Sequence, residues 1–234
     1  MRLSAPIFAL KRKARLLSRT ENIPLYQALN IISKIEGYSS WSLLIADSKN
    51  SSSASNIYRK LEPGDLLLLG ARKGHGKTSL ALQLLSEAIK SGENSLMFSL
   101  DFTNNEVSNV LKNLGLSDLE YDRQFSFDSS DDIYSRHIIE RISSLPKNST
   151  VVIDYLQLLD QKRENPSLAD QMHELRNYAS EKGTKFIVLS QIRRSFEETS
   201  KSIPDINDVR LPNPINLSVF HKTCFVNNGK INVD

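Results

Sequence analysis

Residues 66–78 read LLLLGARKGHGKT, four leucines followed by a glycine-rich loop that closes on Gly76-Lys77-Thr78. An apolar run of this length predicts a strand buried on both faces. The loop has the composition of a phosphate cradle, in which glycines let successive backbone N–H groups turn inward onto phosphate oxygens. In that pattern Lys77 reaches the outer phosphates and the Thr78 hydroxyl is free to hold Mg²⁺. The helix that follows adds the positive end of its dipole. The first glycine slot of the G-x-x-x-x-G-K-[ST] pattern holds Ala71, with Gly70 and Gly74 expected to keep the loop flexible around it. The nucleotide-binding segment is therefore Ala71, Arg72, Lys73, Gly74, His75, Gly76, Lys77, Thr78 and Ser79. A plain strand–turn–helix corner is the competing reading, but the readable strand and helix on either side supply the context the pattern requires.

Downstream, strands and helices alternate. Helices are expected over about 78–91, over 103–115 behind a Thr103/Glu106 capping box, over 131–145 and over 167–182. Strands are expected at 66–69, 95–100, 124–128, 150–155 and 185–190, with two further short strands near 215–221 and 224–233 about an Asn228-Gly229 turn. This order implies an α/β fold, a mostly parallel sheet flanked by helices. Upstream, Leu10, Ala14 and Leu17 recur at helical spacing. A second helix opens after Pro24 and stops at Gly37, and a third short one carries Trp41, Leu44 and Ile45. The tryptophan is read as core of this unit. Residues 1–46 are thus a small basic helical unit, residues 47–56 (DSKNSSSASN) a serine-rich linker, and residues 57–234 the α/β domain.

The chain of 234 residues is long enough for one such domain and an appendage. Its 39% hydrophobic and 24% charged content is ordinary for a globular protein. No apolar run approaches bilayer length, and the basic cluster near the N-terminus follows its apolar stretch, the reverse of a secretory signal. No membrane association is expected. A single cysteine, Cys224, excludes an intrachain disulfide, the four histidines lack metal-ligand spacing, and a reducing cytoplasm fits. Residues 1–20 hold Arg2, Lys11, Arg12, Lys13, Arg15 and Arg19 and no acid, whereas the remainder has 24 basic and 27 acidic residues. The net charge of +3 therefore hides a basic arm. Two readings of the arm stay open: contact with nucleic acid or an acidic protein face, and a solvated helix surface.

In open α/β sheets ligands sit at the carboxyl ends of the strands. Val151-Val152-Ile153-Asp154 ends an apolar strand in a carboxylate, which is expensive to bury without a cation. Asp154 is expected to support Mg²⁺ opposite Thr78. Phe98-Ser99-Leu100-Asp101 presents a second carboxylate, suited to orient and deprotonate an attacking water, or simply to favour the next helix N-terminus. Leu189-Ser190-Gln191 places a neutral amide where it can sense the outermost phosphate. Asp101, Lys77 and Gln191 are the catalytic candidates.

The blocks LEPGDLLLLGARKGHGKT, FSLD, VVIDYLQLL and IVLSQIRR, over residues 61–196, resemble in order and spacing the ATPase domain of DnaB-type replicative helicases, a RecA-like P-loop NTPase. Ala71 is the usual residue of that family at its slot. The resemblance implies ATP as ligand with Mg²⁺, hydrolysis, single-stranded DNA as partner and a homo-oligomer, with a hexamer as the family's ring. It also implies that nucleotide lies between subunits, with Gln191 as phosphate sensor and Asp101 at the position of the catalytic glutamate.

The departures are specific. Asp101 is one methylene shorter than glutamate, so the water must shift or hydrolysis be slow. About 46 residues ending in GYSSW stand where the family has a large primase-interacting domain, which leaves a protein partner for this unit open. The sequence stops at Asp234, short of the Gly-Lys-Gln-Arg-type segment that supplies a basic finger; Lys222, Arg193 and Arg194 are the substitutes. Two basic loops, at Lys162-Arg163 and from Arg193-Arg194 to about Lys201, stand where RecA-like rings contact DNA, or else are solvated. The first reading is a DNA helicase-related ATPase acting as an oligomer. The second is a regulatory or adaptor module with slow hydrolysis and no unwinding.

Overall fold

The computed structural model describes residues 4, 5, 7–131, 133–160, 164–211, 213 and 215–234. The chain divides into two compact units, Met1–Ser53 and Ala54–Asp234.

The first unit contains α1 (Ile7–Thr20), α2 (Leu25–Ile35) and most of α3 (Trp41–Tyr58). Leu10, Ala14, Ala28, Ile32 and Leu44 form its buried centre, and Leu17, Leu29, Trp41 and Ile45 pack against it. The tryptophan is therefore half-buried against this centre. Ser40 starts α3 by accepting the Leu43 N–H on its hydroxyl.

Residues 47–56, expected as a linker, have helical backbone within α3. No glycine or proline falls between Trp41 and Tyr58 to break the helix. Ala54, Ile57 and Tyr58 recur at i, i+3 and i+4 and bury their side chains in the core of the second unit. The unit boundary consequently falls inside a helix, between Ser53 and Ala54.

The second unit is a seven-stranded sheet in the order β3-β2-β4-β5-β1-β6-β7. Its strands are β1 (Leu66–Ala71), β2 (Ser95–Ser99), β3 (Phe125–Asp128), β4 (Thr150–Asp154), β5 (Lys185–Gln191), β6 (Lys222–Asn227) and β7 (Lys230–Val233). All neighbouring pairs are parallel except β6–β7. Alternate side chains enter opposite cores: Leu67, Leu69, Val152, Ile187 and Leu189 on one face, Leu66, Leu68, Val151, Ile153 and Val188 on the other. Helices α4 (Lys77–Lys90), α5 (Asn104–Asn113) and α6 (Asp118–Gln124) supply the first core. Helices α7 (Ser135–Ile142) and α8 (Leu168–Lys182) supply the second. Both faces of the sheet are thus covered, which explains the uninterrupted apolar runs of its central strands.

Three local expectations change. Helix α6 is an addition, opened by a Ser117/Glu120 capping box. Helix α7 is shorter than 131–145 and starts at Ser135, whose N–H and hydroxyl are drawn onto Gln171 and Glu174 of α8. The strand expected at 215–221 is instead a 3₁₀ turn, Leu217–Val219, and β6 starts only at Lys222. The β6–β7 hairpin does turn at Asn228-Gly229, both with positive φ (49° and 77°), as a two-residue hairpin loop requires.

Gly70 lies within β1, so loop flexibility is not its role. A Cβ there would stand 2.7 and 2.8 Å from two ring carbons of Phe225 on β6. Phe225 is 1% exposed and has no room to swing aside. Gly70→Ala should therefore overpack the β1–β6 seam and cost about 1–3 kcal/mol. A urea midpoint equal to that of the parent would show that the seam can yield.

Candidate nucleotide site

Topology sets the site before any side chain does. Strands β1 and β4 end side by side with only β5 between them, and all three run parallel. Their carboxyl ends therefore deliver the 72–78 loop, Asp154 and Gln191 to one edge of the sheet. Gly76 adopts φ 93°, ψ 10° as N-cap of α4, a left-handed conformation that other residues rarely take, and no side chain caps the helix. The first-turn N–H groups of α4 are thus left for a ligand.

At the floor of the site Asp154 is 1% exposed. Its two oxygens have separate partners: Lys77 Nζ lies 2.9 Å from Oδ1, and the Thr78 hydroxyl donates to Oδ2 across 3.2 Å. Lys77 also lies over the Tyr155 ring, 5.6 Å from its centroid. Removing a carboxylate from water is costly without a counter-charge, and here the lysine supplies it. A hydroxyl and a carboxylate at this spacing are hard oxygen donors of the kind Mg²⁺ accepts, so Thr78 and Asp154 fit a metal carried in with phosphate.

A cavity of about 430 Å³ opens above this pair. Of the residues singled out in the sequence, Arg72, Lys73, Gly74, Gly76, Lys77, Thr78, Ser79, Asp101 and Gln191 line it together. Ala71, His75 and Asp154 do not. Ala71 is the buried last residue of β1, Asp154 lies beneath the loop, and His75 turns aside, its Nδ1 2.6 Å from Asn227 Oδ1. Asp101 is exposed, with its N–H held on the Ser99 hydroxyl at 3.2 Å.

Arg193 and Arg194 fall in an adjoining cavity of about 420 Å³, which shares Arg72, Lys73 and Gln191 with the first. Its other lining residues are Ile192 and Arg210, so five cations and no carboxylate line it. Glu197, nearby, pairs with Arg72 at 2.7 Å. Lys162 and Arg163 lie outside the described residues. Lys222 lines neither cavity and pairs with Asp65 at 3.0 Å. Sequence reasoning missed Tyr155 and Arg210. Tyr155 directly follows the acid of β4, a signal that was readable; Arg210 meets Gln191 only through the fold.

A parallel sheet with a glycine-loop lysine paired to a strand-end acid, and a further strand inserted between the two, is the arrangement of the RecA-like P-loop fold. Comparison narrows the class. Residues 121–216 match the family model for the DnaB-like helicase C terminal domain. The replicative DNA helicase DnaB of Mycoplasma genitalium is 26% identical over 190 residues, which cover 64% of this chain and 39% of that protein. A probable plasmid replicative DNA helicase of Chlamydia trachomatis is 28% identical over 181 residues, 64% of this chain and 40% of the relative. The chain thus spans about two-fifths of the length of the curated relatives it matches. Among solved structures, the ATPase domain of another protein superposes with a TM-score of 0.53 at 20% identity, covering 64% of this chain and 65% of that one. A DnaB-like replicative helicase, described with its interactions with primase, superposes with a TM-score of 0.53 at 19% identity, covering 87% and 63%. The chain is thus similar to DnaB-type replicative helicases and shares the fold of their ATPase domains. These relatives favour the helicase-related reading over the regulatory module.

The Lys77–Asp154 pair makes a stability prediction independent of any ligand. Lys77→Met should strand the buried carboxylate and lower unfolding free energy by about 3–5 kcal/mol, as for other broken buried pairs. Adding Asp154→Asn removes the stranded charge and should recover most of the loss. Chemical denaturation of the two single variants and the double variant reads this cycle. Strictly additive losses would mean that the two groups do not stabilise one another.

Proposed function

We infer that this chain binds ATP with Mg²⁺, hydrolyses it, and couples the cycle to single-stranded DNA within a homo-oligomer. The observation that carries this reading is the joint placement of Lys77, Thr78, Asp101 and Gln191 around one cavity, with Asp154 beneath it. On nucleotide entry Lys77 exchanges Asp154 for the outer phosphates, and the α4 N–H groups take up phosphate oxygens. Thr78 would hold Mg²⁺ with support from Asp154, and the metal would neutralise phosphate charge. Asp101 orients a water and accepts its proton as the new P–O bond forms and the bond to the β,γ-bridging oxygen breaks. Gln191 reads the presence of the γ-phosphate at the end of β5.

DNA contact belongs to the basic cavity of Arg193 and Arg194, next to the sensor. The exposed Lys11, Arg12, Lys13, Arg15 and Arg19 of α1 offer a second positive surface. Exposed Leu16, Tyr26 and Ile35 on the same unit support a protein partner there as well. The lone thiol of Cys224 is buried and pushed up to about 12 by desolvation, which keeps it unreactive.

Two measurements test the reading. Asp101→Ala should lower steady-state ATP turnover by about 10²–10⁴-fold, the usual worth of general-base help, while Asp101→Glu should keep or raise it. Normal turnover in Asp101→Ala would reduce the residue to a helix-start carboxylate. For DNA, substituting glutamine at Lys11, Arg12, Lys13, Arg15 and Arg19 keeps α1 packed, since Leu10 and Ala14 carry its buried contacts. Each lost phosphate contact should flatten the log–log salt dependence of single-strand binding by about 0.7, so a change of about two to three units is expected. An unchanged slope would assign the arm to a protein surface and leave DNA to the basic cavity.

A further inference from the structure

Arg210 closes on Gln191 in two ways. Its backbone N–H donates to the Gln191 carbonyl at 2.8 Å, and its Nη1 donates to the Gln191 side-chain Oε1 at 3.2 Å. The Arg210 carbonyl in turn accepts from Gln157 Nε2, which also reaches the Ser190 hydroxyl at 3.1 Å. Arg210 is therefore locked to both residues that end β5.

The chemistry of the pair fixes an orientation. A guanidinium has donors only, so the atom it meets on a glutamine must be the carbonyl oxygen. The terminal amide torsion otherwise has two comparable wells, one presenting N–H groups and the other presenting oxygen. With Oε1 taken by Arg210, Nε2 is the end left for the cavity that Gln191 lines. Donors then face the place of the γ-phosphate, where a carbonyl oxygen would repel it.

We propose that Arg210 is a positioning residue that sets the donor face of Gln191 and so gives the site its preference for a nucleoside triphosphate over a diphosphate. The proposal rests on the nucleotide-binding reading above. It goes beyond that reading by assigning a residue that lies outside the phosphate cradle. Arg210 acts through Gln191 and touches no phosphate.

The test is equilibrium binding of Mg²⁺–ATPγS and Mg²⁺–ADP to the full chain without DNA, with single-strand binding measured separately. The variants are Gln191→Ala, Arg210→Ala, Arg210→Met, Arg210→Lys and the Gln191→Ala/Arg210→Met pair. Arg210→Met keeps the aliphatic stem and removes only the guanidinium. Gln191→Ala and Arg210→Met should each lower the ATPγS-over-ADP preference about tenfold, in the range of a hydrogen bond to a charged group, with ADP affinity unchanged. The pair should lose no more than either alone, and Arg210→Lys should regain part of the preference. A tenfold loss for Gln191→Ala with none for Arg210→Met would overturn the positioning role, as would additive losses in the pair. An unchanged nucleotide preference with weakened single-strand binding would also overturn it, placing the guanidinium on DNA. If Gln191→Ala leaves the preference intact while both nucleotides bind, the sensor assignment itself fails; if neither binds the parent chain, the nucleotide-site reading fails first.

Discussion

A carboxylate removed from water at the end of a central strand is the constraint that organises this domain. Asp154 is held by an apolar strand covered on both faces, and it cannot retreat to solvent. Some cation must meet it. That cation is Lys77, which ties the glycine loop to the floor of the sheet and preorganises the first turn of α4. On the proposed reading the same lysine is the group a nucleotide recruits. The pair thus joins the glycine loop to the strand end and cancels a charge that burial would otherwise penalise.

The second cavity extends this electrostatic logic sideways. Its arginines are not all free. Arg72 is engaged by Glu197 and the Ile192 carbonyl, Arg193 by the Val209 carbonyl, and Arg210 by Gln191. Lys73, Arg193, Arg194 and Arg210 are exposed, and among the described residues only Lys73 and Arg194 of these five cations make no side-chain hydrogen bond or ion pair. Much of the positive charge is therefore invested in fixing the loop after β5 against the cradle. Only part of it remains for a polyanion.

How much of this could be read from the chain varies with the physics of each segment. Strands β1, β4 and β5 were legible because two-sided burial writes an unbroken apolar run. Lys77, Thr78 and Asp154 were legible because backbone geometry fixes their spacing to the strands. Helix α6, with seven residues, is too short to display a 3.6 period, although Ser117 and Glu120 announce its start. Ile215, Leu217 and Val219 alternate like a strand, yet they pack on the second core from a 3₁₀ turn, Leu217–Val219, and the residues just before it. The serine-rich run at 47–56 has linker composition, but the apolar residues at its C-terminal end draw it into a helix. Arg210 illustrates the limit: its partner is 19 positions away, and only the closing of the loop brings the two together.

That closing has a separate consequence for how the protein can change. Ile192 bridges Val209 antiparallel, the Arg193 N–H meets the Asp208 carbonyl at 2.8 Å, and the Arg210 N–H meets the Gln191 carbonyl at 2.8 Å. The two ends of the segment are stitched to each other at its base, and between them Phe196 anchors the segment in the second core and Glu197 pairs with Arg72. Loop-closure cost grows only slowly with length once the base is fixed. The exposed run 198–201 is therefore the part of this segment that insertion or replacement can remodel with least disturbance of the core.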